Sequence, residues 1–341
     1  MSRGIKCLVW DLDHTLWDGV LLEEGAVRLR PEAAELIRTL DERGILHSVA
    51  SKNDPAAAGR QIEAFGLADY FLCPQITWNP KSNSVADVAR SLNIGLDAVA
   101  FIDDQSFERE EVAFAHPQVL CLDAAEVGEL AHRPEFTPRF VTDDSRNRRH
   151  MYRGAQSRTE AEQEFVGTSE EFLATLGMEF TISEARESDL RRAEELTIRT
   201  NQLNSTGITY SYDELARYAQ SPDHLLLVAG LDDRFGSYGK IGLALVERGT
   251  GMWTIKLLLM SCRVMSRGVG TVLLNHLMRL AADAGVRLRA EFLPNDRNRV
   301  MQVTYGFAGF KEVGRSGDTL LLEGELNRAQ EPPGHLTVTV G

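Results

Sequence analysis

The stretch "VWDLDHTLWDG", residues 9–19, ends an apolar run with Asp11 and Asp13, two carboxylates one residue apart. At the end of a buried strand their like charges raise the cost of both, so the pattern calls for a compensating cation. Further polar clusters close later apolar runs. Ser51, Lys52 and Asn53 follow "ILHSVA", Asp103 and Asp104 follow "AVAFI", and Lys81 opens "KSNSVADVARSLN" between them. An all-oxygen site of two or three carboxylates suits Mg2+. Lys81 and the Ser51 hydroxyl are suited to hold the non-reacting oxygens of a phosphate. One aspartate could then attack phosphorus while its neighbour handles the proton of the leaving oxygen, dividing one hard hydrolysis into two easier steps.

These residues can meet only if the elements carrying them end at one edge. Over the first 125 residues, strand-like runs ("IKCLVWDLD", "ILHSVAS", "FLCPQ", "AVAFIDD", "QVLCLD") alternate with helical patterns, two of which begin at Pro31 and Pro55. That alternation predicts a parallel sheet with helices on both faces and a site at the carboxyl ends of its strands. The spacing is tight. Asp11 to Ser51 leaves room for a loop and a helix, and Ser51 to Lys81 for a helix and a strand, so no inserted cap domain is expected over the site.

At 341 residues the chain suits two domains. A net charge of -13 argues against a general nucleic-acid or membrane-surface binder. "MSRGIK" leads straight into a strand-like run with no apolar segment of targeting or spanning length, so a cytoplasmic location is expected. Cys7, Cys73, Cys121 and Cys262 lack metal-ligand spacing, and the first three lie in apolar contexts that suit buried thiols.

From 126 to 178 the chain is polar and mixed in charge, a helical connector in which Arg146, Arg148 and Arg149 suit a solvated face. "SEEFLATLG" reads as a short helix capped by Ser169. A second plan occupies 179–327. The helical "SDLRRAEELTIRTNQLN" precedes strand-like "HLLLVAGLDD", "GKIGLALVERG" and "MWTIKLLLMS", then the glycine-opened helix "RGVGTVLLNHLMRLAADAG". Asn201, Gln202 and Asn204 are candidates to orient an acyl oxygen or, equally, to cap a helix end. Cys262 stands near a helix start beside Arg263 and Arg267, candidates to bind the substrate's phosphate, where a thiol is shifted toward thiolate. The tail 328–341 is expected to be poorly ordered apart from a possible edge strand.

"DLDHTLWDG", "SVASKND", "NPKSNSV" and "AFIDDQSFERE", in this order and spacing, resemble the four motifs of the haloacid dehalogenase (HAD) superfamily. "SRGVGTVLLNHLM" and "NRVMQVTYGFAGF" resemble the cofactor loop and a later helix of the GNAT acyltransferase fold. Together with "IRTNQLN" and "LLLMSCRVMSRGVG", the chain resembles the FkbH-like glyceryltransferase/phosphatase family over nearly its whole length. The resemblance implies an α/β protein, an uncapped HAD-like Rossmannoid parallel sheet followed by a GNAT-like α+β domain. It makes Asp11 the nucleophile and Asp13 the general acid/base. Ser51 and Lys81, with Lys52 and Asn53 adjoining, become phosphate holders, and Asp103 a Mg2+ ligand beside Asp104, with Asp13 ligating through its backbone carbonyl.

The implied task is to dephosphorylate a glyceryl unit derived from 1,3-bisphosphoglycerate and load it onto the phosphopantetheine thiol of an acyl carrier protein in polyketide biosynthesis, with Cys262 as a thioester way station. No nucleic acid or membrane partner is implied. Two departures stand out. Met265 occupies the place where the GNAT pattern has Gln or Arg to cradle the coenzyme A pyrophosphate, and "STGITYS" lacks the paired arginines of the FkbH-like run. A Mg2+ phosphatase of a small metabolite with a non-catalytic C-terminal lid, and transfer of a different acyl group, remain alternatives.

Overall fold

The computed structural model describes residues 4–200 and 202–341, apart from the side chains of Cys262 and Ser266. The chain divides into two compact units, Met1–Gln156 and Ser157–Gly341.

In the first unit β1 (Cys7–Trp10), α1 (Pro31–Glu42), β2 (Leu46–Ser51), α2 (Pro55–Ala64), β3 (Gln75–Ile76), α3 (Lys81–Ser91), β4 (Val99–Asp103), α4 (Ser106–Ala115) and β5 (Leu120–Asp123) form a sheet in the order β3-β2-β1-β4-β5. All its pairings are parallel. Central β1 is paired on both sides, Cys7 to Leu46 and Val99 and Trp10 to Val49 and Ile102. Alternation sends Leu8 and Trp10 into one apolar core and Cys7 and Val9 into the other. Pro31 and Pro55 begin α1 and α2, where a missing N–H costs nothing. Gly44, at φ +74°, turns the chain after α1 with backbone of Ser145 against it, leaving no room for a side chain. The run "FLCPQ" contributes less strand than its pattern predicts. Phe71 makes one bridge to His47, Cys73 takes a left-handed conformation, and pairing resumes at Gln75–Ile76.

The expected connector of 126–178 is helical but is shared between the units. Its long helix, α5 (Arg148–Glu164), contains the division at 156/157. Arg148 and Arg149 are engaged with the first unit, donating to Gly44 O and to the Asp41 carboxylate rather than forming a solvated face.

The second unit contains α6 (Ser169–Thr175), β6 (Met178–Glu184), α7 (Glu187–Arg199), α8 (Tyr212–Gln220), β7 (His224–Asp233), β8 (Gly236–Gly249), β9 (Met252–Met260), α9 (Val269–Asp283), β10 (Arg287–Phe292), α10 (Arg299–Phe307), β11 (Phe310–Ser316), β12 (Thr319–Gly324) and β13 (Leu336–Val340). Its sheet runs β11-β12-β10-β9-β8-β7-β6-β13, antiparallel except for β9 with β10 and β6 with β13. Two apolar cores cover its faces.

Two local expectations are corrected. Thr168, not Ser169, caps α6, because its hydroxyl and the Glu171 carboxylate form a reciprocal capping box. Helix α7 stops at Arg199, and Leu203–Ser205 is a turn that makes one bridge to β9 through Asn204 and Leu259. In the tail, the expected edge strand is present, Leu336–Val340 pairing in parallel with β6 at the end of the sheet.

Candidate active site

Strand β1 delivers the first carboxylate. The Asp11 N–H continues the ladder to Ile102 O at 2.9 Å, so its side chain leaves the sheet beside the end of β4. Lys81, the first residue of α3 and 3% exposed, places Nζ 2.8 Å from Asp11 Oδ1 and 2.5 Å from Asp103 Oδ2. Carboxylate oxygens of Asp11, Asp103 and Asp104 lie within 4.8 Å of one another. One ammonium is thus bonded to two buried carboxylates, with a third, half-buried carboxylate beside them. Burial raises the Asp11 and Asp103 carboxyls above their ordinary range, an effect Lys81 only partly offsets. Burial also depresses the Lys81 ammonium, but the two carboxylates reverse this and hold it above the usual lysine value. The remaining excess of negative charge suits a divalent cation. Asp104 Oδ1 supports that fit, being buried without a hydrogen-bond partner.

Asp13 is held differently. Its Oδ1 accepts from Trp17 Nε1 at 2.8 Å and from the Leu21 N–H at 3.1 Å, and its Oδ2 from Asn53 Nδ2 at 3.0 Å. Its carboxylate is outside the acidic triad and is fixed by neutral donors, an arrangement that aims a proton-transfer group. His14, at φ +54°, makes the turn that lets residues 12–17 fold back.

The other predicted residues fare unequally. Ser51 ends β2 and is buried, its carbonyl accepting from the Thr77 N–H. Lys52 is drawn to Glu108 at 2.7 Å, so its charge is already matched by a carboxylate rather than left for phosphate. Asn53 positions Asp13 instead of facing the triad. The residues not anticipated are supports: Thr15, whose Oγ1 accepts the Asp104 N–H, and Trp17 and Leu21, which fix Asp13. Thr15 and Trp17 lie inside the opening motif, and only their hydrogen bonds reveal their parts.

In the second unit, Gly268 caps α9 at φ +75°, a conformation that favours glycine. Leu203, Met260, Val264, Gly270 and Met301 help line a cleft of about 70 Å³ there. Strands β9 and β10 pair only from Met252–Ile255, and Leu203–Ser205 then bonds to β9, Ser205 N–H to Leu258 O and Met260 N–H to Leu203 O, both at 2.9 Å. Asn204 is buried with Oδ1 accepting the Thr206 and Gly207 N–H groups, which makes it a turn former, while Gln202 is exposed. Arg263 donates to Ser261 Oγ at 3.3 Å, and Arg267 lies 3.7 Å from Glu162. Asn201 and the Cys262 thiol lie outside the described residues.

A model of haloacid dehalogenase-like hydrolases matches residues 18–107, a span that holds Ser51, Lys81 and Asp103 and begins after Asp13. The first unit thus carries a HAD-like hydrolase domain. Among solved structures, the N-terminal part of BF1531 from Bacteroides fragilis, containing a phosphatase domain complexed with Mg, is 28% identical with a TM-score of 0.36, over 38% of this chain and 40% of that one. The chain thus spans well under half of that structure's length. Ribosomal-protein-S18-alanine N-acetyltransferase from Escherichia coli is 19% identical over 42% of this chain and 92% of its own, at a TM-score of 0.34. PaiA N-acetyltransferase from Thermoplasma acidophilum, in complex with coenzyme A, is 19% identical over 42% and 98%, at 0.36. No curated protein matches the chain significantly. The chain is a mixed α/β protein in which the parallel-sheet unit matched by the HAD-like model precedes a unit with a mostly antiparallel sheet. Among the described residues, no helix is long and apolar enough to cross a membrane.

Proposed function

We propose that this chain is a bifunctional glyceryl transferase/phosphatase of the FkbH-like kind. It dephosphorylates a phosphoglyceryl unit from 1,3-bisphosphoglycerate and loads glyceryl onto the phosphopantetheine thiol of an acyl carrier protein in polyketide biosynthesis. The observation that carries the phosphatase half is the convergence of the Asp11, Asp103 and Asp104 carboxylates, two of them paired with the buried ammonium of Lys81.

Asp11 attacks phosphorus; its new P–O bond forms as the ester P–O bond breaks, and Asp13 gives a proton to the leaving alkoxide. Asp13 then takes a proton from the water that splits the aspartyl phosphate, releasing inorganic phosphate and restoring Asp11. Lys81 and Ser51 hold the non-reacting oxygens. Mg2+ would be held by Asp11, Asp103 and Asp104, with the Asp13 carbonyl, and would supply positive charge for phosphate to enter a carboxylate-lined corner.

For acyl transfer, the thiolate of Cys262 attacks the acyl phosphate, forming a C–S bond as the C–O bond to phosphate breaks. The carrier thiol then displaces Cys262 and takes over the glyceryl thioester. The narrow cleft beside Gly268 and Gly270 supports this half because it suits a slender arm. A second reading, a phosphatase whose C-terminal unit is a non-catalytic lid, is favoured by the way Leu203–Ser205 fills the widening beside β9.

Intact-protein mass spectrometry of the carrier, incubated with 1,3-bisphosphoglycerate and Mg2+, tests the proposal. Wild type should add glyceryl, Asp11→Asn should stop at phosphoglyceryl, and Cys262→Ala should leave the carrier bare. A carrier unmodified by wild type refutes the transferase half. Glyceryl loading by Cys262→Ala refutes the way station.

A further inference from the structure

We infer that the second unit carries a binding site for a free α-amino acid, in a cavity at the edge of its sheet where β6 ends and β7 begins. The cavity holds about 240 Å³, and Glu184, Gln220, Ser221, His224, Leu225 and Arg248 are among the residues that line it. It shares no lining residue with the cleft beside Gly268. The inference therefore stands apart from both halves of the function proposed above.

The topology of the sheet brings these residues together. Strand β7 lies between β6 and β8 and runs antiparallel to both, so its first residues stand beside the last residues of its two neighbours. His224 is in register with Glu247 and Leu227 with Glu184, and the Arg248 N–H donates to Asp223 O at 2.7 Å. The turn from α8 into β7 is fixed by its own bonds. The Ser221 N–H donates to Tyr218 O and the His224 N–H to Ser221 O, both at 3.2 Å. The Ser221 hydroxyl meets His224 Nδ1 at 2.9 Å, and the imidazole centre lies 4.7 Å from that of the Tyr218 ring. This wall is formed before any ligand arrives, so binding need not order it.

Two opposite charges line this cavity without bonding to each other. The half-buried Arg248 guanidinium makes no ion pair or hydrogen bond with any described residue, and it lies over the ring of Trp253, its partner in register on β9, 5.3 Å from the ring centre. Its Nε is buried and unbonded, which leaves the two terminal nitrogens as the donors a ligand can reach. Such a fork matches a carboxylate, and the ring beneath holds it in place. Glu184 ends β6, is exposed and has no cationic partner among the described residues. Gln220, the last residue of α8, adds the negative end of that helix to the lining, which favours an ammonium. A plain anion would meet Glu184 and the helix end uncompensated, and a plain amine would meet Arg248. A zwitterion answers both, with its carboxylate on Arg248, its ammonium on Glu184 and its side chain against Leu225.

Differential scanning fluorimetry of the full-length protein with each common L-amino acid at about 10 mM tests this, since a ligand that binds only the folded chain raises Tm. At least one amino acid should raise it. Isothermal titration calorimetry should then give that amino acid a Kd that Arg248→Gln and Glu184→Gln each weaken by about tenfold. The N-acetyl and carboxamide derivatives of the same amino acid, each lacking one charge, should bind more weakly to a similar degree. Glu184 is exposed, so its substitution leaves the fold intact and carries the test even where Arg248→Gln does not fold. No rise in Tm with any amino acid, equal binding of either derivative, or an unmoved Kd in Glu184→Gln overturns the inference.

Discussion

The two units bury charge in opposite ways. In the first, Asp11, Asp103 and Asp104 stand against one lysine at the ends of strands. In the second, Arg158 and Asp233, 3% and 0% exposed, meet through two hydrogen bonds of 2.6 and 2.9 Å. Asp233 also accepts from the Tyr238 hydroxyl, and the Arg158 guanidinium lies 3.8 Å from the centre of that ring. The second cluster is matched in charge and in donors, so it needs nothing further and serves the architecture. The first is left with unmatched carboxylates, which is costly unless an external cation takes them. Unmatched buried charge points to chemistry, and matched buried charge to structure.

The sharpest way to break this contrast is at the nucleophile. Asp11→Asn should lower phosphate release by about 10⁴- to 10⁶-fold, the scale on which loss of a nucleophile acts. Arg158→Met should instead leave kcat near wild type under conditions where the variant stays folded. Comparable activity losses in both would mean that the distinction between the clusters is wrong.

Stability separates them next. Lys81→Met leaves Asp11 and Asp103 facing each other, and Arg158→Met leaves Asp233 without its cation. Each should cost ~3–5 kcal/mol in urea unfolding with EDTA, as removing one partner of a buried pair does. Excess Mg2+ should restore a substantial part of the loss in Lys81→Met and none in Arg158→Met, because only the first leaves carboxylates able to bind an ion. Equal recovery, or recovery in neither, would show that the acidic triad is not a metal site.

How far these sites can be read from sequence follows the same division. The parallel sheet and its charged edge are legible because each polar cluster sits directly after an apolar run, and a parallel sheet brings such ends together. The direction of single side chains is not. Lys52 goes to Glu108, 56 positions away, and Asn53 to Asp13, since a strand end gives adjacent residues different neighbours. In the second unit, long-range pairing overrides local pattern. "IRTNQLN" continues a helical periodicity, yet Leu203–Ser205 leaves the helix because β9 offers it a backbone ladder. The tail's edge strand is legible as alternation, and the open edge of β6 receives it. Thr168 replaces Ser169 as cap because Glu171 lies three residues after Thr168, completing the box.

A matched but neutral device in the first unit gives an intermediate effect. His47 is buried on β2 beside β1, accepting from Trp10 Nε1 at 3.0 Å and bonding through its other ring nitrogen to Ile37 O at 3.0 Å. Burial, reinforced by the facing Arg149 guanidinium and opposed by the bond to Ile37, lowers its pKa from 6.5 to about 3. The folded protein thus holds the neutral ring, whereas the unfolded chain binds a proton below about pH 6.5. Stability from this residue is full above that pH and falls as pH drops toward 3. Between pH 7 and pH 5 the loss should be ~2 kcal/mol, from 1.36 kcal/mol per pH unit below 6.5. His47→Gln should be less stable at pH 7 but should lose this slope. An unaltered slope in urea titrations at the two pH values would exclude His47 as its source.

The smallest effect comes from the support of Asp13. Asn53 is fully buried and holds Asp13 Oδ2 with its amide, while its own Oδ1 accepts the Asp54 N–H at 2.9 Å. Asn53→Ala leaves Trp17 and Leu21 on the other oxygen, so the carboxylate stays but can rotate away from the leaving group. With an alkyl phosphate, whose alkoxide needs a proton as it departs, kcat should fall about tenfold with KM little changed. With p-nitrophenyl phosphate, whose phenolate leaves without one, the loss should nearly vanish. A merely structural role would depress both substrates together, so equal losses would remove Asn53 from the proton-transfer apparatus and return it to the fold.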